Sequence, residues 1–266
     1  MEVILDISKS VEKNAEEYYE KAKKAKKKYQ GAEQALKQSE AKLERLKKEK
    51  EEVLKKIREQ EKEKQEKKAV KKEWYEKFRW FFTSGGFLAI GGRDATSNEV
   101  IIKKYTEKND LVFHTDMAGS PFFVIKSEGR EIDEKSVIEV AEATASYSRA
   151  WKEGLATLDV FYVAPEQVSK TTESGEYMGK GSFMIRGKKT YAHPNIKLAV
   201  GVTEQGKIMG GPVSAIKKNC EKYVLISQGN EKPSDAAKKI RKQIGGELDD
   251  VIRAMPAGGV RVAKTA

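Results

Sequence analysis

A single cysteine, Cys220, and two histidines, His114 and His193, are all that the 266 residues offer a thiolate or imidazole site. One cysteine excludes an internal disulfide and any cysteine zinc cluster, and this usage fits a reducing compartment. No apolar run approaches the ~20 residues needed to span a bilayer. The opening MEVILDISKSVEKN lacks the basic-then-apolar layout of a signal peptide, so a soluble, cytoplasmic protein is expected. Proline is missing from Val11 to Phe82, and that stretch holds one glycine, Gly31. The two residue types that most readily interrupt a helix are therefore almost absent from the first third of the chain.

What is abundant is charge. Lys and Arg number 52 against 41 acidic residues, a net +11. The excess is uneven: residues 1–80 hold 25 basic and 18 acidic residues, 81–202 hold 15 and 16, and 203–266 hold 12 and 7. A nearly neutral middle thus sits between two positive flanks. Such flanks suit polyanions, RNA among them, through phosphate attraction and counterion release; a lysine-rich solvated surface is the plainer reading.

From Val11 onward, apolar or small residues recur in steps of three and four: Val11, Ala15, Tyr18, Ala22, Ala25, Tyr29, Ala32, Leu36, Ser39, Leu43, Leu46, Val53 and Ile57, with Lys50 a polar member. The remaining positions are mostly Lys and Glu, so the pattern is a heptad seam. It turns polar between Arg58 and Glu73 and revives at Trp74, Phe78 and Phe81, an aromatic group expected to anchor the end of the coil in the core. Two structures fit: one helix of about 70 residues and ~100 Å, or an antiparallel hairpin of half that length. The unbroken phase favours the first, and the need to cover an apolar stripe favours the second. A short strand is expected at Val3-Ile4-Leu5.

Strands are expected at Phe87–Ile90, Leu111–His114, Phe122–Lys126, Leu158–Val163, Phe183–Arg186, Lys197–Val202 and Tyr223–Ile226. Helices are expected at Ser97–Tyr105, at Ile132–Trp151 with Asp133 as N-cap and Gly154 beyond its end, at Ser234–Ile244 capped by Ser234, and at Glu247–Ala254. Short connections between most strands point to an α+β fold with a mostly antiparallel sheet. The expected division is a coiled-coil region (1–82), a globular domain (83–203) and a basic extension (204–266).

Four blocks could carry chemistry. GGRDATSNE (91–99) follows a strand and opens a helix, where glycines and backbone amides can hold an anion. It has neither the GxGxxG spacing nor a following GK[ST]. Arg93 and Asn98 there could touch RNA, or hydrogen-bond with Asp94 and Glu99 in a charged turn. His114 and Asp116 fall on one side of a strand end, as a metal or general-base site would need, with His193 the other available imidazole. A structural histidine is the plainer reading. Lys170, the glycine-rich loop ESGEYMGK with Tyr177 and Lys180, and Arg186, Lys188 and Lys189 near Tyr191 mix cations, aromatics and glycine as RNA contact requires. Lys126, at a strand end, joins this candidate set. Ser169 and Lys170 are adjacent in an extended run and face opposite sides, which argues against a Ser–Lys nucleophile pair. In KAKKAKKK, Lys23, Lys24, Lys27 and Lys28 make a positive stripe on the first helix, suited to an RNA groove or simply to solvent.

LDISKSVEKNAEEYYEKAKKAKKK, WYEKFRWF, GGRDATSNE, HTDMAGSP, SKTTESGEYM and GSFMIRGKK together resemble the middle coiled coil and C-terminal R domain of the NFACT family of ribosome quality-control proteins. GPVSAIKK and the basic helix after it are similar to the archaeal form. The resemblance implies a hairpin for the coil, with its turn near residues 40–52. It implies a factor that binds the large ribosomal subunit carrying an obstructed peptidyl-tRNA and helps bring in tRNA for template-free tailing of the nascent chain. The coil would reach across the subunit and could contact a ribosomal protein. The family's N domain and helix-hairpin-helix region have no counterpart in these residues, and its Asp-Arg motif lies in that N domain. Arg93-Asp94 has the reverse order in another domain and inherits no role from it. The expectation is a non-enzymatic RNA- and ribosome-binding module without cofactor or metal. An RNA-processing or metal-assisted nucleolytic enzyme centred on His114 and Asp116, and a coiled-coil recruitment scaffold, are the alternatives.

Overall fold

A computed structural model describes residues 4–68, 72–171 and 178–263, with the backbone alone at 48, 52 and 55–68. The chain divides into two compact units, Met1–Lys72 and Glu73–Ala266.

The first unit is one α-helix, α1 (Val11–Lys68). It runs unbroken through residues 40–52, so the expected hairpin is corrected to a single helix. The physical reason is local: no residue there disfavours helix, and i,i+4 pairs such as Arg45–Glu49 at 3.0 Å support continuation. Ile4 and Leu5 are not in a strand, and Val3 lies outside the described residues. Asn14 instead ties this lead-in to the helix start, its Oδ1 accepting from the Asp6 amide at 2.8 Å. The seam residues Leu36, Leu43, Leu46 and Val53 are exposed.

The second unit is α+β. After a 3-10 turn (Trp74–Lys77) come β1 (Arg79–Phe82), β2 (Leu88–Gly91), α2 (Ala95–Lys104), β3 (Leu111–Thr115) and β4 (Phe123–Ile125). Then follow α3 (Glu134–Ser146), α4 (Arg149–Glu153), β5 (Val160–Val163), β6 (Val168–Ser169), β7 (Met184–Ile185) and β8 (Thr190–Ala192). The remainder holds β9 (Leu198–Val202), β10 (Ile208–Gly211), α5 (Val213–Asn219), β11 (Lys222–Glu231), α6 (Pro233–Ile244), α7 (Leu248–Ala254) and β12 (Val260–Val262). The sheets run β1-β2-β4-β3-β5-β8, β10-β9-β11-β12 and β6-β7. Every pairing is antiparallel.

Trp80 and Phe81 belong to β1, not to a helix end: pairing of Arg79 with Gly91 and Phe82 with Leu88 makes this run a sheet edge. The aromatic group still enters the core, with Phe78 and Phe81 buried. Ile132–Trp151 is two helices rather than one. Ser148 breaks it with an extended backbone, and its Oγ accepts from the Ala150 amide at 3.1 Å, as an N-cap does. Asp133 caps α3 through the Ser136 amide at 2.9 Å, and Gly154, at φ 76, ends α4 in the left-handed region. At α6 the cap is Lys232, with Pro233 in the first turn; Ser234 lies inside the helix. Both larger sheets share one apolar core, from Phe81, Phe123 and Trp151 to Leu198, Ile240 and Val260. Residues beyond 203 therefore complete the globular unit.

Candidate nucleic-acid interface

β2 delivers the chain into Gly92-Arg93-Asp94, and Asp94 caps α2 by accepting from the Ser97 amide at 2.8 Å. The amides of Arg93 and Asp94 donate back to Ser97 Oγ at 2.8 and 2.9 Å. Gly92 is required because a Cβ would fall 1.7 Å from Asn98 Oδ1. That oxygen accepts from the Phe122 amide at 3.1 Å, joining α2 to the β3–β4 connection. The Arg93 guanidinium donates to the carbonyls of Phe78 at 2.8 Å and Arg253 at 3.0 Å. Arg93 and Asn98 thus hold the fold together: Asn98 is buried, and Arg93 spends two guanidinium donors on backbone carbonyls.

Lys126 is 6% exposed, and its Nζ is engaged by buried Asp110 and by the Tyr105 carbonyl at 2.9 Å. Desolvation and full partnering take it out of reach of a ligand. As a structural cation it is corrected within the predicted contact set.

His114 is largely buried, 4.0 Å from the Phe122 ring in a stack, with Nε2 3.2 Å from the Ser120 carbonyl. Burial depresses its pKa, so the neutral ring is favoured. Asp116 faces elsewhere: it accepts from Lys189 at 2.8 Å and from the Tyr191 hydroxyl at 3.3 Å, and the Lys189 hydrogen bond lowers its pKa. His193 pairs with Asp159 at 2.6 Å. The three residues weighed for a metal or base site do not converge. Among the described residues no group of three or more His, Cys, Asp or Glu side chains could hold a metal ion.

The remaining cations sit around the loop that returns through β7. Lys170 donates to the Gly179 carbonyl at 3.0 Å, lies 3.6 Å from Glu99, and sits 4.9 Å over the Phe183 ring. Glu99 is held down to about 2, first by its hydrogen bond from Lys103 and then by the Gly181 amide. Gly181 is left-handed at φ 79, and a Cβ would lie 2.6 Å from Ala95 Cα, so only glycine lets this loop touch the start of α2. Lys180, Arg186 and Lys188 are exposed. Arg186 spends one donor on the Thr171 carbonyl at 3.0 Å. Tyr177 lies outside the described residues. On α1, Lys23, Lys24, Lys27 and Lys28 are all exposed, and Lys23 makes only a 3.8 Å pair with Glu20.

Between α2, the loop after β3 and the loop before β7 opens a cleft of about 460 Å³, whose lining includes Arg79, Arg93, Tyr147, Phe122, Lys180 and Phe183. Arg79 and Tyr147 escape sequence reasoning. Arg79 sits in an aromatic run that reads as a helix end, and Tyr147 in a helix that reads as continuous. Their meeting, guanidinium 4.4 Å over the ring, depends on both corrections.

Residues 77–187 match the protein-family model for the NFACT protein RNA binding domain. Residues 77–187 thus carry the RNA-binding domain of the NFACT family. The chain is 45% identical over 207 residues to the archaeal Rqc2 homolog aRqcH of Methanocaldococcus jannaschii, covering 74% of this chain and 31% of that protein. It is 42% identical over 137 residues to the ribosome quality control complex subunit NEMF homolog of Drosophila melanogaster, covering 51% of this chain and 14% of the relative. Against the ribosome quality control complex subunit NEMF of Homo sapiens it is 42% identical over 130 residues, or 48% and 12%. The chain therefore spans less than a third of the length of these relatives. The match to the NFACT domain model ends at Gly187, yet the core continues through β9–β12. Among the described residues no helix is long and apolar enough to cross a membrane.

Proposed function

We propose that this chain is the RNA- and ribosome-binding part of a ribosome quality-control factor, acting by binding rather than by catalysis. The observation that carries this reading is the match of residues 77–187 to an RNA-binding domain, supported by relatives named as ribosome quality-control proteins. On this reading the partners are the large ribosomal subunit with its obstructed peptidyl-tRNA, and incoming tRNA for nascent-chain tailing, in the cytoplasm. Three functional regions divide the work: the coil of the first unit, the RNA-binding domain, which begins with the 3-10 turn at Trp74–Lys77 and runs to residue 203, and a basic extension (204–266) that shares the domain's core. The contact groups are Lys23, Lys24, Lys27 and Lys28 on α1, and Lys170, Lys180, Arg186, Lys188 and Lys189 around the β7 loop.

Titration of labelled tRNA and of large subunits at two salt concentrations tests the proposal. Binding should be present at low salt, and its log affinity should fall linearly with log salt. No binding at low salt, or binding indifferent to salt, sinks it. The exposed Leu36, Leu43 and Leu46 favour a second role for the coil, recruitment of a helical or ribosomal-protein partner. A chain that scatters light as a monomer at all concentrations, and pulls no ribosomal protein from purified large subunits, would exclude that role. Incubation with RNA and Mg²⁺ or Mn²⁺ should leave the RNA intact; cleavage would return the metal-assisted reading.

A further inference from the structure

The floor of the cleft is built from two arginines with no acidic partner. Arg79 and Arg93 both line it, and the Nε atom of each is buried without a hydrogen-bond partner. Arg79 donates through Nη1 to the Met255 carbonyl at 3.0 Å, and Arg93 donates to the Phe78 and Arg253 carbonyls. A guanidinium carries five N–H donors, and these three bonds leave both Nε–H groups without a partner. Among the described residues no carboxylate forms an ion pair with either group. Burial lowers both pKa values, Arg93 to about 10, and the neighbouring positive charge of Arg79 adds to the effect on Arg93; Asp250 and Tyr147 oppose it only through space.

The plain structural account is that these guanidiniums cap the carbonyls at the end of α7, with Tyr147 fixed beside them by its 2.6 Å bond to the Ala254 carbonyl. That account uses two of the donors and leaves two like charges side by side without a counterion, a costly arrangement where water is scarce. The opposite wall is aromatic. Phe122 stacks on His114 and meets the half-buried Phe183 edge-on at 5.4 Å. Exposed Lys180 adds a further cation to the lining. Asp94 also lines the cleft, its carboxylate engaged by Ser97, and it repels an anion from the α2 end.

From this we infer that the cleft is a phosphate subsite that takes one nucleotide of a single-stranded RNA, the phosphate on Arg79 and Arg93 and the base against the half-buried Phe183, which Phe122 backs from the core. Each planar guanidinium suits two oxygens of a tetrahedral phosphate, an aromatic side chain suits any base, and the volume suits a ligand of nucleotide size. The phosphate half follows from the cleft alone; the RNA half rests on the RNA-binding reading above.

The test follows the Nε–H resonances of Arg79 and Arg93 in the ¹⁵N-labelled full chain, titrated at constant ionic strength with orthophosphate, adenosine monophosphate or adenosine. Both resonances should move saturably with orthophosphate and with the monophosphate, the latter binding about tenfold tighter. Adenosine alone should leave them in place. Phe183→Ala keeps the arginines and should weaken the monophosphate while leaving orthophosphate unchanged. If neither resonance moves with the monophosphate at roughly 10 mM, a range that captures even millimolar affinity, the arginines are caps only and the subsite is overturned. Equal affinity for both phosphates would overturn the nucleotide assignment. Shifts that persist in a chain unable to bind tRNA would sink the RNA-binding reading instead, so the two failures are distinguishable.

Discussion

Lys126 shows how a side chain's type and its task separate once burial is known. A lysine at a strand end next to other cations reads as a surface contact, but Asp110, 16 residues upstream, draws it inside. Asp110 Oδ1 also accepts from the Ser127 amide at 2.9 Å, and Oδ2 from the Glu107 amide at 2.8 Å, so the carboxylate organises the whole β3–β4 end. Removing one member of such a pair leaves the other charged and dry, which costs about 3–5 kcal/mol. Lys126→Met should therefore unfold at markedly lower urea, while the fraction that remains folded binds tRNA as the parent does. Parent stability together with weakened tRNA binding would instead make Lys126 a contact residue. Sequence could not reveal this, because nothing in FFVIKS states which acid comes back to it. By contrast, Asp133 was legible as a cap, since a cap and its amide partner are three residues apart.

At the scale of elements, what was legible followed local periodicity, and what was missed depended on partners far along the chain. The strands β2, β3, β4, β5 and β9 matched their branched and aromatic runs, whereas β1 needed β2 to turn an aromatic helix-like stretch into a sheet edge. Helix α3 carries a testable irregularity. Burial, reinforced by Glu139, pushes the Glu142 carboxyl from 4.5 up to about 7. A folded-state pKa above the unfolded one means that the contribution is fully present below about 4.5 and lost as pH rises through about 7. Glu142→Gln should therefore match the parent near pH 4 and exceed it at pH 8 by about 1–2 kcal/mol, after discounting for partial exposure. Urea unfolding of both proteins across that range checks this. Taking the difference cancels His114, whose depressed pKa works in the opposite sense over an overlapping window. In α1, a Cβ at Gly31 would meet nothing within 4 Å, so Gly31→Ala should raise the thermal midpoint of the helix signal, worth about 1 kcal/mol.

For the molecule as a whole, the distribution of charge decides what each unit contributes to binding. Residues 1–72 hold 23 basic against 16 acidic residues and residues 73–266 hold 29 against 25, so the smaller unit carries the denser positive field. Long-range attraction to a phosphate backbone scales with cations that can reach it, each contact adding roughly 0.7–0.9 to the slope of log affinity against log salt. Specific contact needs shape and stacking, which the α1 lysines lack and the folded domain offers. The two sources should then separate by salt. Neutralising Lys23, Lys24, Lys27 and Lys28 to Gln in the full chain should reduce the salt slope for tRNA by about 3 and weaken binding mainly at low salt. Circular dichroism should show the helix intact, because exposed Gln and Lys have similar helix propensity. Neutralising Lys180, Arg186 and Lys188 should lower affinity at moderate salt as well, since Lys180 lines the cleft and Arg186 and Lys188 follow Ile185, another lining residue, along the chain. An unchanged slope in the first variant would assign α1 to protein contact, where its exposed heptad leucines already point. An unchanged affinity in the second would move the RNA surface off the β7 loop and onto another face of the domain.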